Sequence, residues 1–334
     1  MYTHLNRADT VVDMHRRASL ATLTGLALMV SGVSGAWGQD KYPSRPVSMI
    51  VAYPAGGPVD GAARQLAEAL QRQLGQPFVI NYKTGASGAI GHAANATAAP
   101  DGYTLLFAAS PPQTMLPHSQ KLLFDPLRDY TPIGSFAESQ FALVTSGTYA
   151  PNTVAEVIAD AKARPGKVNF ASSGVGSLTH MASEVFKQKA NIDVVHIPYK
   201  GGGEALSDLL NGTVQFMTVP VTGAHRAQAK AGKLKVLAVA ADARSKTLPD
   251  VPTFIEAGVP DFLISTWYAL EGPPGLPPAV SQTLRGAVLK LPQDSEFIKA
   301  MNQLDIDVRV LGAADLQKRI EKEYQLWGAT LKNK

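Results

Sequence analysis

The sequence of 334 residues contains no cysteine. That excludes disulfides, thiolate metal sites, a cysteine nucleophile and a lipid-modified cysteine anchor. It says little about compartment, because a chain this long buries a core that needs no covalent staples. Charge is scarce too: Asp, Glu, Lys and Arg make up 17% of the chain, with 31 Lys+Arg against 27 Asp+Glu. The excess is spread thinly, with no run of five like charges, so no nucleic-acid surface is expected. Several catalytic signatures are missing as well. There is no G-x-x-x-x-G-K-[ST] phosphate loop. Gly85-Ala-Ser-Gly-Ala89 lacks the last glycine of a nucleophile elbow. Ser172-Ser-Gly-Val-Gly-Ser177 departs from a dinucleotide fingerprint, because Thr179 stands where the third glycine is needed. The seven histidines form no H-E-x-x-H and no close pair with metal-ligand spacing. No cofactor and no metal are expected on these grounds.

What is present is a hydrophobic fraction of 45%, enough for a large core, in a length that suits about two domains. Long apolar runs are again lacking. The apolar stretch Leu20–Val30 follows Arg16 and Arg17 and falls well short of the roughly 20 residues that span a bilayer. With Ala36 and Gly38 behind it, residues 1–38 read as a secretory leader cleaved before Gln39, and a membrane anchor is the alternative. Met14 lies just before the charged region, so the first 13 residues can be an upstream start-site extension.

Beyond the leader, β and α patterns alternate. Strands are expected at Val47–Val51, Phe78–Ile80, Tyr103–Ala109, Phe141–Thr145, Val168–Ala171, Val194–Ile197, Val214–Val219, Lys235–Ala240 and Trp267–Glu271, with a mostly helical tail from Pro278 to Leu331. Thr153-Val-Ala-Glu156 and Thr253-Phe-Ile-Glu256 read as capping boxes, and Asp60 as a helix cap. Alternation with short connections predicts an α/β fold of parallel sheets covered by helices. Ligands then bind beyond the C-terminal strand ends, where helix N-termini present N–H groups and partial positive charge. The loops at those ends, 53–57, 85–88 and 172–177, are rich in Gly, Ser and Thr and poor in charge, which suits a carboxylate. His180 begins a helix after the third loop and reads as a structural histidine, and Trp267 and Tyr268 as core or hinge support.

Taken in order, Tyr42-Pro-Ser-Arg-Pro46, Tyr53-Pro-Ala-Gly-Gly57 with Asp60, Leu74-Gly-Gln-Pro77, Gly85-Ala-Ser-Gly88 and Ala99-Pro-Asp-Gly-Tyr-Thr-Leu105 make a recognisable series. It continues with Pro165-Gly-Lys-Val-Asn-Phe-Ala-Ser-Ser173, His196-Ile-Pro-Tyr-Lys-Gly201, Ala231-Gly-Lys-Leu234 and Leu248-Pro-Asp-Val-Pro-Thr253. The series resembles the Bug receptors, the periplasmic substrate-binding proteins of tripartite tricarboxylate transporters. The resemblance implies a type II periplasmic-binding-protein fold with two lobes and a ligand cleft between them. Residues 42–143 with 263–334 would form lobe 1 and residues 144–262 lobe 2, with hinge strands near Phe141–Thr145 and Phe262–Trp267. It further implies a periplasmic, monomeric receptor that hands a small organic carboxylate to integral-membrane transporter subunits. The residues expected to hold the ligand are Tyr53, Gly56, Gly57, Ser87, Ser110, Ser172, Ser173, Gly176, Ser177 and Thr218.

Two departures from the family pattern bear on the ligand. Pro58 and Val59 stand where the family has a third Gly and a Thr. Val219 stands where it often has an Asp able to receive an ammonium or hydroxyl. Together they predict a dicarboxylate with an apolar or aromatic body, terephthalate-like, in preference to an amino acid. A secreted serine hydrolase using one of the Ser-rich loops, and a periplasmic sensor module, are the alternative readings.

Overall fold

The computed structural model describes residues 42–56, 58–245 and 247–332. The expected leader 1–38 and Gly57 lie outside the described residues. Val47–Val51 forms β1, with every residue but Ser48 buried, as an apolar run inside a helix-covered sheet should be. Helix α1, Pro58–Leu74, opens with a proline, whose missing N–H costs nothing at a first helical position. Its buried stripe is Ala63, Leu66 and Leu70. Gly75 ends it at φ +78°, with its amide on the Gln71 carbonyl at 2.9 Å. Then come β2 (Phe78–Tyr82), α2 (Ala89–Ala96), β3 (Thr104–Ala109) and the short helix α3 (Pro111–Thr114).

The next elements are β4 (Thr131–Ser146), α4 (Val154–Ala163), β5 (Asn169–Ser172), α5 (Leu178–Ala190), β6 (Val195–Pro198), α6 (Gly202–Leu210), β7 (Phe216–Pro220), α7 (Gly223–Lys230) and β8 (Leu234–Val239). The chain then returns through β9 (Ser265–Gly272), α8 (Pro278–Lys290), α9 (Ser295–Gln303), β10 (Asp307–Gly312) and α10 (Ala313–Lys332).

Two parallel blocks, β2-β1-β3 and β6-β5-β7, are joined through the antiparallel strands β9 and β4. The expectation of purely parallel sheets is corrected here: the centre is antiparallel because β4 runs through both halves. Its first part, Thr131–Gln140, pairs with β9, and β10 lies against Gly134–Glu138. From Phe141 onward it pairs with β7, and from Ala142 with β8. Sequence reading caught only the second part, and it placed β10 inside a helical tail.

Each half has its own core. In the first, Val47, Met49, Val51, Leu105, Phe107 and Leu270 pack under Leu66, Leu70, Leu284 and Phe297. In the second, Phe141, Leu143, Phe170, Phe186, Phe216, Phe254 and Phe262 form an aromatic-rich layer. Phe186 meets Phe216 edge-on at 5.8 Å and 87°, and Phe262 at 6.1 Å and 72°. Burying each such side chain contributes about 1.5–3 kcal/mol.

The caps follow chemistry with one change of outcome. The Thr153 hydroxyl accepts from the Glu156 amide at 3.1 Å, but Glu156 reaches back to the Asn152 amide at 2.7 Å. At Thr253 and Glu256 both reciprocal bonds form, at 3.1 and 2.7 Å, yet they close a turn and no helix follows.

Candidate functional site

The turn after β1 is held by Asp60. Its Oδ2 accepts from the Gly56 amide at 2.9 Å and from Arg64 Nε at 3.1 Å, and its Oδ1 from the Tyr82 hydroxyl at 2.5 Å. Asp60 therefore caps the incoming turn instead of its own helix, the back-reaching half of a capping box. Burial alone would raise its carboxyl, but Tyr82, Gly56 and Arg64 outweigh that and hold it below the usual carboxylate range. Gly56, at φ +88°, is exposed and takes a conformation that glycine adopts without strain.

Among the described residues, loop 85–88 is the longest run of positive-φ backbone. Gly85, Ala86, Ser87 and Gly88 all have positive φ, at +125°, +45°, +53° and +98°. For Ala86 and Ser87 this costs about 1–2 kcal/mol each, and such strain persists where the surroundings dictate it. The Tyr53 hydroxyl points to the Ser87 carbonyl at 3.5 Å. A Cβ on Gly88 would lie 2.9 Å from Pro112 Cγ and 3.1 Å from Tyr53 Oη, so glycine lets three loops meet. The Tyr53 phenol is raised above its ordinary pKa by burial and by Tyr268, so it remains a neutral donor. Ser110 ends β3, and its amide donates to the Trp267 carbonyl at 3.2 Å. Tyr53, Ser87 and the Ser110–Pro112 corner are thus brought together in the first half.

In the second half, the loop after β5 is a closed hydrogen-bond circuit. Ser172 Oγ lies 2.7 Å from His196 Nε2, accepts from the Gly174 amide at 3.2 Å and faces the Gly174 carbonyl at 3.1 Å. Ser173 meets Thr179 Oγ1 through both its amide (3.0 Å) and its hydroxyl (2.9 Å). Ser177 caps α5, accepting from the His180 amide at 3.2 Å and donating to the Gly174 carbonyl at 2.7 Å. The Gly176 amide donates to His180 Nδ1 at 3.1 Å. Val175 is carried at the crown, 78% exposed, between Gly174 and Gly176 at φ +123° and +76°.

Ser110, Ser172 and Thr218 are fully enclosed in this conformation, and Thr218 Oγ1 has no hydrogen-bond partner. Val219 lies inside β7, 4% exposed, in a core layer with Ala142, Ala171 and Met217. The contact between Ser172 and His196 has the distance of a nucleophile and its base, but the serine is buried and committed to Gly174. Among the described residues no group of three or more His, Asp or Glu could hold a metal ion, and no helix is long and apolar enough to cross a membrane.

A cavity of about 510 Å³ lies away from all these loops, lined by residues that include Glu138, Asp242, Arg244, Asp307 and Arg309. Its arginines are already paired: Arg309 bonds Asp242 at 2.6 and 2.8 Å and Glu138 at 3.2 Å, and Arg244 pairs with Glu256 at 3.0 Å. The Gly/Ser loops differ from this cavity in chemistry: their polar groups are backbone amides and hydroxyls, with no lysine or arginine.

Sequence reasoning missed Tyr82, Pro112, Thr179 and His196 as supports of these loops. The one available signal was spacing: His180 stands three residues after a Ser that caps its helix.

A model of the family described as "Tripartite tricarboxylate transporter family receptor" matches residues 62–334. Protein BugT of Bordetella pertussis (strain Tohama I) is 33% identical over 94% of this chain and 96% of its own length. Two solved structures from Rhodopseudomonas palustris are similar. Rpa4515 with adipate is 28% identical, with a TM-score of 0.72 over 87% of this chain and 97% of that one. MatC with bound malate is 28% identical, with a TM-score of 0.69 over 87% of this chain and 100% of that one.

Proposed function

The chain belongs to the tripartite tricarboxylate transporter receptor family, a family of periplasmic solute-binding proteins, and we propose that its cargo is a dicarboxylate with an apolar body. Residues 42–143 with 263–334 form one lobe and residues 144–262 the other, closing on the ligand as a selection of conformers. The protein acts in the periplasm as a monomer, after loss of residues 1–38, and delivers the acid to integral-membrane transporter subunits.

The observation that carries this reading is the pair of Gly/Ser loops, 85–88 with positive φ at all four residues and 172–177 with positive φ at Gly174 and Gly176, neither containing a lysine or arginine. Amides and hydroxyls fixed in this way bind a carboxylate without a buried cation and at low ordering cost. Tyr53, Gly56, Ser87 and Ser110 serve one end of the ligand, and Gly57, outside the described residues, is assigned there by sequence alone. Ser172, Ser173, Ser177 and the enclosed Thr218 serve the other, with Gly176 shaping the loop while its amide is held by His180. The half-buried Tyr53 and the exposed Val175 supply apolar surface for the body between. Adipate, found with one relative, has an unsubstituted chain; malate, found with another, carries a hydroxyl. The apolar surface favours the adipate or terephthalate type.

Isothermal titration of the mature chain with adipate, terephthalate, malate, aspartate and glutamate tests it. Adipate or terephthalate binds tightest on this reading. Tighter binding of aspartate or glutamate would overturn it.

A further inference from the structure

We infer that His180 and His196 are positioning residues: a stacked imidazole pair that fixes the amides of loop 172–177 before a ligand arrives. The inference rests on the reading of that loop as a carboxylate clamp.

The two rings lie 3.9 Å apart between centroids at 19°, and Phe170 lies 4.9 Å from His196 at 18°. A layer that needed only apolar filling would be met by hydrocarbon. Here each ring instead sends a nitrogen to the loop. His180 comes from α5 and its Nδ1 takes the Gly176 amide at 3.1 Å. That contact requires a bare Nδ1, so the ring proton sits on Nε2, which faces Glu184 at 3.7 Å. His196 comes from β6 and its Nε2 meets Ser172 Oγ at 2.7 Å. Ser172 Oγ accepts from the Gly174 amide and donates to the Gly174 carbonyl. All three contacts are satisfied together only when His196 Nε2 carries its proton and donates. The tautomers follow from the hydrogen-bond network.

The two arms end on the two glycines with left-handed φ, Gly174 and Gly176. Glycine has the most backbone freedom to lose, so these are the residues a clamp must fix in advance. Both histidines act through the loop and need no contact with the ligand.

The test uses variants that separate an acceptor or donor in place from mere polarity. In His180→Asn the amide oxygen falls where Nδ1 stood; in His180→Gln it reaches past that point. His196→Gln returns an N–H at the Nε2 position, and His196→Leu does not. For each mature variant, amide exchange of Gly174 and Gly176 is followed by NMR without ligand. Affinity for adipate and terephthalate is measured by calorimetry.

His180→Gln should speed Gly176 exchange and weaken binding about tenfold, the scale of one lost hydrogen bond, with His180→Asn close to wild type. His196→Leu should do the same at Gly174, with His196→Gln restoring it. Equal exchange and equal affinity in the Asn and Gln variants of His180 would overturn the inference, and that pair keeps the comparison open should a leucine variant fail to fold. If the wild type binds neither acid, the cargo proposal fails by itself, and the exchange pattern alone decides whether the histidines hold the loop.

Discussion

The Gly56 amide donates to the Asp60 carboxylate across 2.9 Å, so a glycine that sequence reading assigned to ligand is fixed by a side chain one helical turn further on. The same carboxylate takes the Tyr82 hydroxyl and Arg64. Replacing Asp60 by Ala leaves these exposed donors to water and should cost about 0.5–1.5 kcal/mol at pH 7 by urea denaturation. The folded-state carboxyl lies below the usual range, so its contribution is present above the unfolded value near ~3.9 and is lost as pH falls through the folded one. Wild type and Asp60→Ala should therefore converge in acid. A gap that stays constant to the lowest pH at which both fold would contradict this.

Glu271 behaves in the opposite direction. It is fully buried beside Gln113, neither carboxylate oxygen has a hydrogen-bond partner, and burial raises its carboxyl to about 8 against a weak opposing pull from Gln113. A folded value above the unfolded one near ~4.3 means that stability is full at low pH and declines as pH rises towards 8. Glu271→Gln mimics the protonated acid. Its melting temperature should match wild type near pH 4 and exceed it near pH 8.5. Equal pH profiles would refute the assignment.

Loop 85–88 predicts a trade between stability and binding. Ala86→Gly relieves left-handed strain of about 1 kcal/mol, less the entropy of a new glycine, so the apo protein should be unchanged or slightly more stable. Gly88→Ala meets Pro112 and Tyr53 at 2.9 and 3.1 Å and should lower both melting temperature and carboxylate affinity. An Ala at 88 with wild-type affinity would remove Tyr53 and its neighbours from the site.

Where the two halves of the sheet meet, Glu138 is 3% exposed and bonds Arg309 at 3.2 Å and Arg319 at 2.9 Å. Asp242 bonds the same Arg309 but its side chain is 51% exposed. Removing Glu138 takes a buried partner from both arginines, but Arg309 keeps Asp242 and Arg319 keeps Glu323, so Glu138→Ala should cost about 1–3 kcal/mol. Asp242→Asn, in solvent, should cost about 1 kcal/mol or less. Chemical denaturation of both variants decides whether burial, and not the number of contacts, sets the difference.

What could be read in advance follows from periodicity. Val47–Val51 was legible because both its faces are covered and the run is apolar. Thr131–Gln140 was not, because Pro132, Gly134, Ser135, Glu138, Ser139 and Gln140 break the pattern. Those residues are explained only by neighbours far off in sequence. A Cβ on Gly134 would sit 2.9 Å from the Leu311 carbonyl, and Glu138 answers two arginines from the tail. β10 alternates polar and apolar residues between two helices and has no turn signal of its own. The Gly/Ser loops were legible by composition, whereas their supports at Tyr82, Thr179 and His196 come from other elements. Val219, set by the family resemblance against a position often held by Asp, is buried in a core cluster with Ala142, Ala171 and Met217.

The most direct test of the central claim is calorimetric titration of residues 39–334, stripped of any carried ligand by unfolding and refolding, with adipate and terephthalate. The account predicts saturable binding of at least one acid with a rise in melting temperature that grows with its concentration. Absence of heat and of any thermal shift with every mono-, di- and tricarboxylate tried would contradict it.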